Sequence, residues 1–66
     1  MEISENQIVV LIPCRNEETT ISAVVDGFRK LLPGSSIYVY DNASSDQTAL
    51  KASEAGAQVI FEETPG

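Results

Sequence analysis

Two short polar stretches hold most of the side chains in this sequence that could do chemistry. They are Pro13-Cys14-Arg15-Asn16-Glu17-Glu18 and Asp41-Asn42-Ala43-Ser44-Ser45-Asp46. Acceptors dominate: Glu17, Asp41, Asn42 and Asp46. Such groups suit ligand donors, for example the imide N–H of uracil or guanine and the hydroxyls of ribose. They do not suit phosphate, so a diphosphate bound here would need a divalent metal to offset the charge. Neither stretch contains glycine, which excludes the glycine-rich turns of dinucleotide sites and P-loops. The chain has no histidine, so the commonest general base and metal ligand is missing.

The elements that must position these stretches are read from periodicity. Gln7-Ile8-Val9-Val10-Leu11-Ile12 is a continuous, mostly β-branched apolar run. It predicts a strand covered on both faces, as in a parallel sheet. Pro13 cannot donate to a ladder and is expected to end the pairing. Ile21, Val24, Val25, Phe28, Leu31 and Leu32 then form one apolar helical stripe. Glu17 and Glu18 near its start and Arg29 and Lys30 near its end suit the helix dipole, and Pro33-Gly34 stops it. Ile37-Tyr38-Val39-Tyr40 reads as a second strand. Ser44 and Gln47 have capping-box spacing before a second helix expected over about Asp46 to Ala55. That helix should bury Ala49, Ala52 and Leu50, with Gly56 after its end. Gln58-Val59-Ile60-Phe61 makes a third strand. The fold class is therefore α/β: half of a three-layer Rossmann-like fold with a parallel sheet in β-α-β-α-β order. Residues 1–66 form a single, incomplete domain. In such sheets ligands bind outside the carboxyl ends of the strands, where both polar stretches fall.

Composition narrows the class. The chain is 42% hydrophobic with a net charge of −6, a globular rather than disordered balance. At 66 residues burial and ordering entropy nearly cancel, so the chain is a marginal folder or borrows burial from other sequence. Its acidity and lack of a basic patch argue against nucleic-acid partners. Cys14 is the single cysteine, so no internal disulfide forms and a reducing compartment is expected. The N-terminus has no basic n-region and no apolar run spans a membrane. These features point to a cytoplasmic protein.

The stretch "VLIPCRNEETTISAVV" with "IYVYDNASSDQTALKASEAGAQVI" resembles the N-terminal part of family-2 glycosyltransferases, inverting enzymes of the GT-A fold. Their pattern is a strand ending in Ile-Pro-x-x-Asn-Glu-Glu. A second strand ends in Val-Asp-Asp/Asn-x-Ser-x-Asp-x-Thr, and the next helix closes on Ala-Gly-Ala. The resemblance runs from about Ile8 to Phe61. It implies that Pro13 and Arg15 line a base pocket, that Glu17 contacts the nucleotide, and that Tyr40, Asp41 and Asn42 hold base and ribose. Arg15, Asn42 and Gln47 depart from the commoner apolar residue, second aspartate and glycine. The resemblance also implies a parent enzyme that moves a sugar from a UDP- or GDP-linked donor, with Mg²⁺ or Mn²⁺, to an acceptor. Association with the inner face of the membrane and a part in cell-wall or polysaccharide synthesis fit such a parent. The family's Asp-x-Asp metal site and its catalytic base lie beyond the region matched here, and no Asp-x-Asp occurs in these residues. The chain alone is accordingly expected to hold part of a nucleotide site, to bind no metal and to be inactive.

Other readings compete. Glu17 could be only a helix-start charge, as Glu18 and Asp46 are expected to be, and Cys14 only a small core filler. Tyr38 and Tyr40 share a strand face, so one of them should pack. The main functional alternative is a non-catalytic module that self-associates through an exposed sheet edge. A nucleotidyltransferase or an oxidoreductase fits less well for want of glycines. A response-regulator receiver needs acidic residues where this chain has Pro-Cys-Arg.

Overall fold

The computed structural model describes residues 2–64. A 3-10 turn at Glu5–Gln7 leads into β1 (Val9–Cys14), followed by α1 (Ile21–Leu31), β2 (Ser36–Asn42), α2 (Thr48–Glu54) and β3 (Gln58–Glu62). The three strands form one parallel sheet in the order β1-β2-β3. The expected element order and parallel sheet are both present. Because both crossovers advance in the same direction, crossovers of one hand carry both helices to one face. These residues thus supply two of the three layers of such a fold, a sheet and one helical layer.

Strand alternation divides the sheet cleanly. Ile37 and Val39 of β2 face the helices and form a core with Ile21 and Val25 of α1, Ala52 of α2, and Ala57. Val10, Ile12 and Cys14 of β1 and Val59 of β3 pack against that core. The other face carries Val9, Leu11 and Pro13 of β1 beside Tyr38 and Tyr40 of β2 and Ile60 of β3. On it Val9 stays 63% exposed and Leu11 60%. The expectation that the first strand is covered on both faces is therefore corrected: within these residues only one face is covered. The total accessible surface of 4509 Å² exceeds the roughly 4,100 Å² that size scaling gives for this mass, as a bare sheet face requires.

Four local expectations also change. Pro13 does not end the ladder: β1 runs through it to Cys14, with Pro13 opposite Tyr40 and Cys14 opposite Asp41. Within the described residues β1 is an edge strand, where a proline is tolerated because a residue's N–H side can face away from the sheet. The α1 stripe is wider than the surface it meets, and Val24 and Leu31 remain exposed. Leu50 of α2 is exposed as well. Lastly, α2 starts at Thr48, without the Ser44–Gln47 capping box.

Gly56 follows α2 with φ +104°, the left-handed conformation that ends helices and favours glycine. Arg29 of α1 lies over it and donates from Nη1 to the Ala55 carbonyl at 2.8 Å. One arginine thus ties the ends of both helices together.

Candidate functional site

Register fixes what meets at the carboxyl edge of the sheet. Cys14, Asp41 and Phe61 form one row on the helix side, and Pro13, Tyr40 and Ile60 form another on the bare side. Beyond them run the β1–α1 loop, with Arg15, Asn16, Glu17 and Glu18, and the β2–α2 loop, from Ala43 to Gln47. Both loops lie at the edge where ligands bind in open α/β sheets.

The two loops are laced together by side chains. The Asn16 N–H donates to Ser44 Oγ at 2.8 Å, the Glu17 N–H to Thr48 Oγ1 at 2.8 Å, and the Glu18 N–H to Asp46 Oδ2 at 3.3 Å. In return the Ser45 N–H donates to Asn16 Oδ1 at 2.9 Å and the Gln47 N–H to Glu18 Oε2 at 3.2 Å. Each acceptor hydroxyl is oriented from behind by a carboxylate: Ser44 Oγ donates to Asp41 Oδ1, and Thr48 Oγ1 to Asp46 Oδ1. The Ser44 and Thr48 N–H groups also donate to Asp41 Oδ1 and Asp46 Oδ1, at 3.0 and 2.9 Å.

This lacing explains how the first turn manages without glycine. Asn16 takes the left-handed conformation, φ 53°, which asparagine tolerates better than most residues. Ala43 does the same in the second loop, φ 57°, at a cost of about 1–2 kcal/mol for a residue with a Cβ. The lacing and the buried Asp41 offset that strain.

Sequence reasoning singled out six residues, and the structure distributes them unevenly. Asp41 is fully buried on the helix side, whereas Pro13, Tyr40 and Asn42 belong to the bare side. Arg15 and Glu17 sit exposed on the first loop. Asp41 meets that loop through Ser44. Tyr40 packs half-buried, with its hydroxyl 3.5 Å from Glu62 Oε2, and the Glu17 carboxylate accepts from Thr20 Oγ1 at 3.2 Å. Two buried oxygens find no hydrogen-bond partner among the described residues: Asp41 Oδ2 and Asn42 Oδ1. Buried acceptors are rarely left so.

Ser44, Asp46, Thr48 and Asn16 were not among the six. Their signal was their type, since Asn, Asp, Ser and Thr bond readily to backbone groups, but no local spacing pairs residues 28 to 31 apart. Asp46, expected to be a simple helix-start charge, anchors both loops. The Thr48 hydroxyl, before all else, holds its carboxyl below the usual range, with backbone N–H bonds adding to the effect. Burial above all, then the charges of Asp41, Glu17 and Asp46, pushes the Cys14 thiol up to about 11. That suits a packing residue and not a nucleophile. Among the described residues no three of His, Cys, Asp and Glu gather to hold a metal, and no closed pocket forms.

Comparison with known proteins agrees with this architecture. No protein-family model matches the chain. It is 50% identical over 52 residues to Protein RfbJ of Shigella flexneri, covering 79% of this chain and 40% of that protein. It is 41% identical over 63 residues to an uncharacterized glycosyltransferase of Mycobacterium bovis, covering 89% of this chain and 26% of that one. The crystal structure of glucosyl-3-phosphoglycerate synthase from Mycobacterium tuberculosis superposes with a TM-score of 0.73 at 36% identity, over 80% of this chain and 20% of the enzyme. Another structure of that enzyme holds Mn²⁺, UDP-glucose and phosphoglyceric acid. The chain is a relative of the family-2, GT-A-fold glycosyltransferases, and it corresponds to part of such an enzyme. It spans well under half the length of each relative. No helix among the described residues is long and apolar enough to cross a membrane.

Proposed function

We propose that this chain supplies the nucleotide-recognising part of a glycosyltransferase that draws its sugar from a nucleoside-diphosphate donor. The observation that carries the reading is the pair of buried, unpartnered acceptors at the carboxyl edge, Asp41 Oδ2 and Asn42 Oδ1. Their chemistry calls for donors, and the imide and ribose hydroxyls of a uridine or guanosine nucleotide are such donors. Arg15, free of the lacing, is placed to stack on a base or to reach a phosphate. Glu17 lies on the facing loop, and Tyr40 and Pro13 stand side by side on the bare face of the sheet. UDP-glucose in the related mycobacterial enzyme favours uridine.

The residues described do not fit a divalent metal: Asp41 is buried and tied to Ser44, and Asp46 is tied to the opposite loop. A Mg²⁺ or Mn²⁺ serving the complete enzyme would take its ligands from other residues, as would the base that activates the acceptor.

The test is a titration of the protein with UDP and with GDP, followed by amide chemical shifts. Shifts at Arg15, Glu17, Asp41 and Asn42 with one nucleotide support the reading and identify the base. A folded protein whose shifts ignore both nucleotides well above millimolar concentration refutes it. A second reading, a self-associating module, is favoured by one feature: among the described residues β1 pairs on one side only and exposes Val9 and Leu11. It predicts a concentration-dependent dimer indifferent to UDP.

A further inference from the structure

Three successive amides of the β1–α1 loop, those of Asn16, Glu17 and Glu18, begin at a left-handed residue and all donate toward the β2–α2 loop. Such a run of N–H groups is a ready anion site. Here it is filled from within, by Ser44 Oγ, Thr48 Oγ1 and Asp46 Oδ2. The loop that would otherwise grip phosphate is thereby spent on gripping its neighbour, and only its side chains are left for a ligand.

We propose that Ser44 and Thr48 are positioning residues of the nucleotide site. The inference rests on the nucleotide reading above. Each hydroxyl is the middle of a three-membered relay that ends on a backbone amide of, or next to, a proposed contact. Asp41 accepts from Ser44, which accepts from the Asn16 N–H; Asp46 accepts from Thr48, which accepts from the Glu17 N–H. A hydroxyl has one proton. The carboxylate behind it claims that proton and leaves a lone pair aimed at the loop. Thr48 is fully buried, so no water can replace it. The first relay also fixes the face Asp41 presents: with Oδ1 committed to Ser44, Oδ2 is the oxygen left for a ligand donor. The two relays therefore set the backbone of Asn16 and Glu17 on one side of the half-site and the carboxylate of Asp41 on the other.

The test compares Thr48→Val, which keeps the shape and removes the hydroxyl, with Thr48→Ser, which keeps the hydroxyl and removes a methyl. Two quantities are read: exchange protection of the Glu17 amide without ligand, and the dissociation constant for UDP. Thr48→Val should lose roughly tenfold in protection, about one hydrogen bond, and a similar factor in UDP affinity. Thr48→Ser should hold both within about threefold, although it too loses packing. If the valine variant does not fold, Ser44→Ala against Ser44→Thr reads the first relay at the Asn16 amide. Equal protection in wild type and Thr48→Val overturns the relay. Altered protection with unchanged UDP affinity overturns the positioning role and leaves a stability role alone. A wild type that ignores UDP while Thr48→Val still loses protection removes the nucleotide reading and the positioning role with it, yet leaves the relay standing. The failures are thus told apart.

Discussion

Replacing Asp41 by asparagine separates the two demands placed on this residue. Asp41 is fully buried, its Oδ1 accepts from the Ser44 N–H and Oγ–H, and its Oδ2 accepts from nothing described. Asparagine has the same shape and can keep both bonds through Oδ1. Burying a carboxylate costs several kcal/mol after relaxation, and the substitution removes that cost. Against this, the two Ser44 bonds lose their charge assistance, together about 2 kcal/mol, and the new amide NH₂ is buried without an acceptor at about 1 kcal/mol or more. The balance leaves Asp41→Asn within about 1 kcal/mol of wild type in the absence of ligand. Binding has no such compensation. A donor in place of Oδ2 meets the imide N–H of the base head-on, so UDP affinity should fall by a factor of ten or more, the loss of a charge-assisted bond of about 1.5–3 kcal/mol. Urea unfolding of the free protein and a UDP titration measure the two effects side by side. A variant destabilised by more than about 3 kcal/mol that still binds UDP like wild type would refute the reasoning, because Asp41 would then be a structural carboxylate only.

Two further outcomes follow from the geometry. Gly56→Ala should destabilise the protein by at least about 1–2 kcal/mol, because φ is +104° and a Cβ there would lie 2.9 Å from Arg29 Nη1; thermal unfolding monitored by circular dichroism checks it. Cys14 should react with iodoacetamide far more slowly at pH 8 than an open cysteine. With the thiol pushed up from 9.0 to about 11, its neutral form is the favoured one in the folded state. Labelling should accelerate as pH rises toward 11, and alkylation followed by mass spectrometry at several pH values reports it. Rapid labelling at pH 8 would mean that the loops open readily around the thiol.

Much of the fold is legible in the residues because local signals agree with one another. Apolar runs of β-branched residues alternate with one strong helical stripe, and Gly56 marks its turn by type alone. The ladder running through Pro13 is not legible in the run, because a proline's effect depends on whether its strand is an edge, which is a property of the sheet. Val24, Leu31 and Leu50 were expected inside because a stripe shows which way a helix faces but not how much surface lies beneath it. At the site, the meeting of the two polar stretches followed from topology, and the structure does bring them together. The roles within them did not follow. Ser44 has capping-box spacing, yet its hydroxyl lies closer to Asp41 and serves the opposite loop. Thr48 looked like an ordinary helix residue, and its partner is the Glu17 amide across the sheet edge.

The order β1-β2-β3 runs one way without turning back. In an open α/β sheet a crevice opens where two neighbouring strands send their connections to opposite faces. Among the described residues every connection leaves for the same face, so the two loops lean together instead of parting, and no cleft separates them. A nucleotide laid on this edge alone, without the rest of such an enzyme, would be gripped from one side and bathed by water on the other. Apart from the bond to the buried Asp41, its hydrogen bonds would work at a dielectric near that of solvent, where each contributes about 1 kcal/mol and not several. Three or four such bonds correspond to dissociation constants on the order of millimolar. An edge of this kind sorts ligands by the pattern of their donors well before it holds any of them tightly.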